Sequence, residues 1–274
     1  MHDSGLLHLD SGLSASYQAL GPTTGETLLF LHGFLGSKDC WRSLLPCLSR
    51  QYRCIALDLL GFGDSSKPAI RYDVATEVEF LRQFINQLAL GPCWLVGHSF
   101  GSWVAAAYAL CYPAAGLVLT GPAGIRDDSF CGKYDRYRPL LWPSPIIDAA
   151  LWAASPIAKL TGRSTTWQKL RWFRQQIKRN RAARSFILDR LRPEDAIDTV
   201  EKDIHQLKIP TLIIAGAKDT TIPLWHSQTY AQEIPHARLI IIPEADHSLP
   251  QNYGPQVAKI IQQFLDDQSA YRLG

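Results

Sequence analysis

No stretch of this 274-residue chain approaches the roughly 18 uninterrupted apolar residues that a membrane-spanning helix needs. Residues 1–5 have neither the basic segment nor the apolar core of a secretory signal, so export is not expected. The six cysteines, at positions 40, 47, 54, 93, 111 and 131, include no C-x-x-C pair. That leaves no zinc-ligand spacing, and without an export signal the cysteines read as reduced thiols in a cytoplasmic compartment. No metal or cofactor is expected. Internal repeats and low-complexity linkers are also missing, and from Gly121 to about Gln206 no strand-like run occurs at all.

What is present is a core-forming composition, 46% hydrophobic, with a βα rhythm on both sides of that gap. Before it, Leu28–Leu31, Cys54–Leu57, Trp94–Val96 and Gly116–Thr120 read as buried strands, with helices over Val74–Leu90 and Trp103–Cys111. After it, 210–215 and 238–242 read as strands and Pro255–Asp267 as a helix with Val257, Ile260, Ile261 and Phe264 on one face. The economical organisation is an α/β core formed by 1–120 and 207–274. Residues 121–206 are then a helical cap inserted over the strand ends.

The stretch Gly97-His98-Ser99-Phe100-Gly101 joins the strand at 94–96 to a helix. A glycine two residues either side of a serine allows strand and helix to pass closely and raises the serine hydroxyl above the sheet. A serine hydroxyl is a weak nucleophile at neutral pH and needs a base, and the base needs an orienting acid. Two further strands end beside such groups: 210–215 runs into Gly216-Ala217-Lys218-Asp219, and 238–242 into Glu244-Ala245-Asp246-His247. Ser99, Asp219 and His247 are therefore the candidate nucleophile, acid and base. Asp127 and Asp128, after the strand at 116–120, compete for the acid's place. The strand at 28–31 runs into His32-Gly33-Phe34-Leu35-Gly36, a turn able to present backbone N–H groups. The N–H groups of Phe34 and Phe100 are the candidate oxyanion donors.

These motifs, in this order, resemble the α/β-hydrolase superfamily over roughly residues 20 to 267. The resemblance rests on His32-Gly33, on Asp58-Leu59-Leu60-Gly61-Phe62-Gly63-Asp64-Ser65, on the elbow at Ser99, on the loop ending at Asp219 and on His247. It implies a mostly parallel central sheet flanked by helices, with an inserted helical cap, and a serine hydrolase working through an acyl-enzyme. Ser102 stands where many relatives have a second glycine after the elbow. Two narrower resemblances pull apart. His32-Gly33-Phe34-Leu35-Gly36-Ser37 is similar to the turn of menaquinone-pathway succinyl-hydroxycyclohexadiene-carboxylate synthases, and Thr120-Gly121-Pro122-Ala123-Gly124 to the meta-cleavage C–C bond hydrolases.

Charge is uneven. Residues 159–192 carry eleven lysines and arginines against one acidic residue, a local +10 in a chain of net +3, so the remainder is net negative. A solvated helix face, attraction to an anionic membrane surface and a clamp for an acidic substrate all fit that excess. Nucleic acid does not fit, because the triad would be idle. The cap tryptophans Trp142, Trp152, Trp167 and Trp172 favour an apolar substrate pocket. The reading is a carboxylesterase or lipase-like hydrolase of an apolar ester, cytoplasmic or peripheral to a membrane. The alternatives are C–C bond hydrolysis or elimination on an acidic substrate, and a non-catalytic hydrolase-fold receptor.

Overall fold

The computed structural model describes residues 2–127, 144–162, 164–188 and 198–273. Eight strands form one sheet: β1 (His2–His8), β2 (Ser14–Leu20), β3 (Thr27–Leu31), β4 (Arg53–Leu57), β5 (Trp94–His98), β6 (Gly116–Thr120), β7 (Thr211–Gly216) and β8 (Arg238–Ile242). Their spatial order is β1-β2-β4-β3-β5-β6-β7-β8. Pairing is antiparallel from β1 to β2 and from β2 to β4, and parallel in every other pair. Every residue of β3, β5, β6 and β7 is buried. Helices cover both faces of such strands, which is why they read as unbroken apolar runs rather than alternating ones. At the edge, β8 has exposed and half-buried positions before the buried Ile242.

Among the described residues the α-helices are α1 (Leu45–Leu48), α2 (Val74–Gln87), α3 (Phe100–Cys111), α4 (Pro145–Ala153), α5 (Ser155–Leu160), α6 (Ser164–Arg179), α7 (Arg181–Leu188), α8 (Leu224–Glu233), α9 (Leu249–Asn252) and α10 (Gly254–Leu273). Asp73 caps α2 by accepting from the Thr76 amide at 2.8 Å, and Val74, Val78, Leu81 and Phe84 form its buried stripe. Val257, Ile261 and Phe264 of α10 join Leu28, Trp94 and Leu212 in the main hydrophobic core.

The chain divides into two compact units: Met1–Ser66 with Asp73–Arg126 and Asp198–Gly274, and Lys67–Tyr72 with Asp127–Ile197. The second unit falls within residues 121–206 apart from Lys67–Tyr72. Residues flanking it are bonded to the sheet unit: the Gly121 amide donates to the Ile214 carbonyl at 2.8 Å and the Val200 amide to the Gly124 carbonyl at 2.9 Å. The Trp103 indole donates to the Asp198 carbonyl at 3.1 Å.

Among the described residues the second unit contains helices and no strand. The Trp167 indole donates to the Leu151 carbonyl, joining α6 to α4. Arg174 donates to the Asp148 carboxylate at 2.7 Å and to the Ser144 carbonyl at 2.9 Å, and Lys178 also donates to Asp148. Together the two cations hold the Asp148 carboxyl below the usual carboxylate range. Lys67–Tyr72 belongs with these helices because the Tyr72 amide donates to the Ser185 hydroxyl and its ring lies against Phe186.

Candidate active site

The site is assembled at the carboxyl ends of three parallel strands, where loops of an α/β sheet converge. β5 leads into Ser99, whose backbone is strained at φ 52° and ψ −113°. A non-glycine residue at positive φ costs of order 1–3 kcal/mol and persists only where its surroundings hold it. They do so here. The Ser99 amide donates to the Thr120 carbonyl at 2.9 Å, and its carbonyl accepts from the Ser102 and Ala123 amides. Neither flanking position has room for a side chain: a Cβ on Gly97 would lie 2.4 Å from Ser102 Cα, and one on Gly101 2.1 Å from the Leu31 carbonyl oxygen.

His247 follows β8, and its Nε2 lies 3.0 Å from Ser99 Oγ. On the other side of the ring, Nδ1 is 2.6 Å from Asp219 Oδ2. The second Asp219 oxygen accepts from the Thr221 and Ile222 amides at 2.8 and 2.9 Å, so the buried carboxylate is held by the loop that follows β7. A neutral imidazole whose Nδ1–H donates to Asp219 leaves Nε2 as an acceptor facing the serine hydroxyl. Gly121, at φ 51°, lies beside this pair; a Cβ there would stand 3.4 Å from Asp219 Oδ2 and 3.5 Å from His247 Nδ1.

Two other histidines are structural supports. His98 is buried, its ring tilted at 41° to that of His247 with centroids 4.9 Å apart, and its Nδ1 is 3.1 Å from both the carbonyl and the hydroxyl oxygen of Thr120. Burial, reinforced by its histidine neighbour, pushes it down to about 3, so it is neutral at physiological pH. His32 bonds the Gly33 carbonyl through Nδ1 and accepts the Leu59 amide on Nε2, tying the turn after β3 to the loop after β4. Its pKa is lowered by burial. In that loop Asp58 accepts from the Lys38 amide and ammonium, each at 2.6 Å, and from the Asp64 amide at 2.9 Å. Lys38 also reaches Asp64.

The turn after β3 sits directly against the nucleophile, since a Cβ on Gly33 would fall 3.3 Å from Ser99 Cβ. Phe34 in that turn and Phe100 at the start of α3 pack ring against ring at 6.0 Å, and each meets Phe62. Phe34 thus belongs to the turn that lies against Ser99, and Phe100 follows Ser99 directly in the chain. Of the rival acids, Asp127 belongs to the second unit and Asp128 lies outside the described residues. Among the tryptophans, Trp142 also lies outside the described residues. Trp167 packs inside the second unit, while Trp152 and Trp172 are 70% and 59% exposed. Sequence patterning singled out Thr120 and Gly121 only within a family resemblance and gave them no role in the site. One acts mainly through its carbonyl, which every residue has. The other is a glycine whose positive φ suits the turn beside the pair.

Residues 26–250 match the family described as alpha/beta hydrolase fold. A haloalkane dehalogenase of Bradyrhizobium diazoefficiens is 39% identical over 34% of this chain and 30% of its own length, so the chain aligns with under a third of that relative. A 2-hydroxy-6-oxo-2,4-heptadienoate hydrolase of Pseudomonas putida is 28% identical over 95% of this chain and 96% of its own. Among solved structures, a membrane phospholipase A described as a bacterial virulence factor superposes with a TM-score of 0.76 at 25% identity. The match covers 97% of this chain and 86% of the other.

Proposed function

From the premise that this chain belongs to the α/β-hydrolase family, we propose that it is a serine hydrolase that cleaves carboxylic esters of apolar acids. The observation that carries the proposal is the continuous relay from Ser99 through His247 to Asp219, at 3.0 and 2.6 Å. In the first half-reaction Ser99 Oγ attacks the ester carbonyl carbon while His247 Nε2 takes its proton. The C=O electron pair moves onto oxygen, where the Phe34 and Phe100 amides would receive it; one such donor is worth about 3 kcal/mol of barrier. Collapse breaks the C–O bond, and His247 returns the proton to the departing alcohol. Water then repeats the sequence on the acyl-enzyme and regenerates Ser99.

A serine at the elbow argues for acyl transfer rather than the alkyl-enzyme chemistry that an aspartate there would perform. Apolar acids fit because Phe34, in the turn against Ser99, and Phe100, next to it in the chain, form an aromatic cluster with Phe62. The cation closest in sequence to that turn, Lys38, is engaged by Asp58 and Asp64.

A second reading, hydrolysis of a C–C bond in a 2-hydroxy-6-oxo-dienoate, is favoured by the near full-length relationship to the heptadienoate hydrolase. A panel of p-nitrophenyl esters of increasing acyl length, run beside such a dienoate, separates the two. The ester reading expects turnover to rise with acyl length beyond acetate. Turnover of the dienoate with inert esters would replace it with the C–C reading, and inertness to both would favour a ligand-binding role.

A further inference from the structure

In the second unit, α4 turns an unbroken apolar face to solvent. Its sequence is Pro-Ile-Ile-Asp-Ala-Ala-Leu-Trp-Ala, and the exposed positions are Pro145, Ile146, Ala149, Ala150, Trp152 and Ala153. The one buried position, Leu151, and the single charge, Asp148, point the other way, toward Arg174 and Lys178 of α6. Helices of soluble proteins ordinarily bury such a stripe, and an exposed apolar helix face marks an interaction surface. On this face Ile146 is 79% exposed, and beyond it Leu160 at the end of α5 is 88% exposed.

The helices packed with α4 carry exposed cations. Lys159 on α5 and Lys169, Arg171 and Arg179 on α6 are all exposed, and Trp172 stands among them. Asp148, the acidic residue on α4, is already neutralised by its two cations. α5 and α6 are tied together by the Arg171 bond to the Ser155 hydroxyl, and α4 to α6 by the Trp167 indole. These residues therefore share one packed group of helices.

We propose that α4, α5 and the exposed side of α6 form a docking surface for an anionic lipid bilayer, with the apolar face of α4 in the acyl-headgroup boundary and the cations on the headgroups. Apolar side chains and tryptophan beside lysine and arginine, on helices too short to span, are the composition of an interfacial segment. No described helix is long and apolar enough to cross a membrane. Charge also decides against a second copy of the chain as the occupant. A two-fold contact through this face would set the Lys159, Lys169, Arg171 and Arg179 of one copy against those of the other, whereas an anionic surface attracts all of them. This assigns Trp152 and Trp172 to lipid rather than to substrate.

The test is flotation of the full chain with vesicles of phosphatidylcholine alone or mixed with phosphatidylglycerol, with native size measured in parallel. The wild type is expected to float with the mixed vesicles at low salt, to be released by salt, and to ignore phosphatidylcholine alone. The double substitution Ala149→Glu with Leu160→Glu, both at exposed positions, should cut partitioning at least about tenfold and leave hydrolysis of a soluble ester unchanged. Lys169→Glu with Arg179→Glu should do the same, each cation near an anionic surface being worth about a factor of five. Failure of the wild type to float with mixed vesicles would overturn the proposal. So would unchanged flotation of both variants, or a wild-type dimer that the Ala149→Glu and Leu160→Glu pair converts to monomer.

Discussion

Asp219 uses its two oxygens differently: one accepts from two loop amides and so fixes the carboxylate, leaving the other to hold His247. Asp219→Asn should therefore preserve the loop but present an amide to Nδ1, favouring the wrong imidazole tautomer. Turnover of the preferred ester should fall by roughly 10⁴-fold, the size of that effect in serine proteases. Asp127→Asn should leave turnover near wild type, and steady-state kinetics on the two variants decides between the acids. A large loss in the Asp127 variant with a small one in the Asp219 variant would move the acid. Ser99, Asp219 and His247 were legible because each follows the end of an apolar run, and both the residue type and the chain order carry the chemistry. Thr120 and Gly121 were not, since their contributions to the site depend on backbone proximity that no residue type announces.

At the scale of elements, α2 hides an acid. Glu77 is fully buried, one carboxyl oxygen accepts the Leu60 amide at 3.1 Å, and the other has no hydrogen-bond partner. Burial raises its pKa well above 4.5. Between the ordinary carboxyl value and that raised one, the folded chain holds a proton that the unfolded chain releases. Wild-type stability therefore falls as pH rises through this window. Glu77→Gln cannot titrate. Urea unfolding should show the variant gaining on wild type as pH rises above about 4.5, while parallel pH profiles would mean that Glu77 ionises normally. The burial could have been read from spacing, because Val74, Glu77, Leu81 and Phe84 share one helical face. The hairpin of β1 and β2 offered no such handle. Its strands mix serine, glycine and charged residues, and they are recognisable chiefly by their antiparallel pairing to each other and to β4. Central strands were legible nearly to the residue because burial on both faces demands continuous apolar sequence.

For the whole molecule, the parallel sheet brings together groups separated by up to 148 positions in the chain. That convergence was legible as a succession of strand ends, whereas the division into units was legible only in outline. Lys67–Tyr72 joins the second unit through contacts with Ser185 and Phe186, more than a hundred residues away, which no local pattern encodes. The basic excess was plain in composition, but which cations face solvent and which, like Arg174, are buried against a carboxylate depended on how the helices pack. The central claim is that this fold makes Ser99 a nucleophile. Its most direct test is to react the intact protein with a fluorophosphonate probe and locate the adduct by peptide mass spectrometry. The account predicts one adduct, on Ser99, abolished together with turnover in a folded Ser99→Ala variant. An adduct that survives in that variant, or turnover that persists without Ser99, would contradict it.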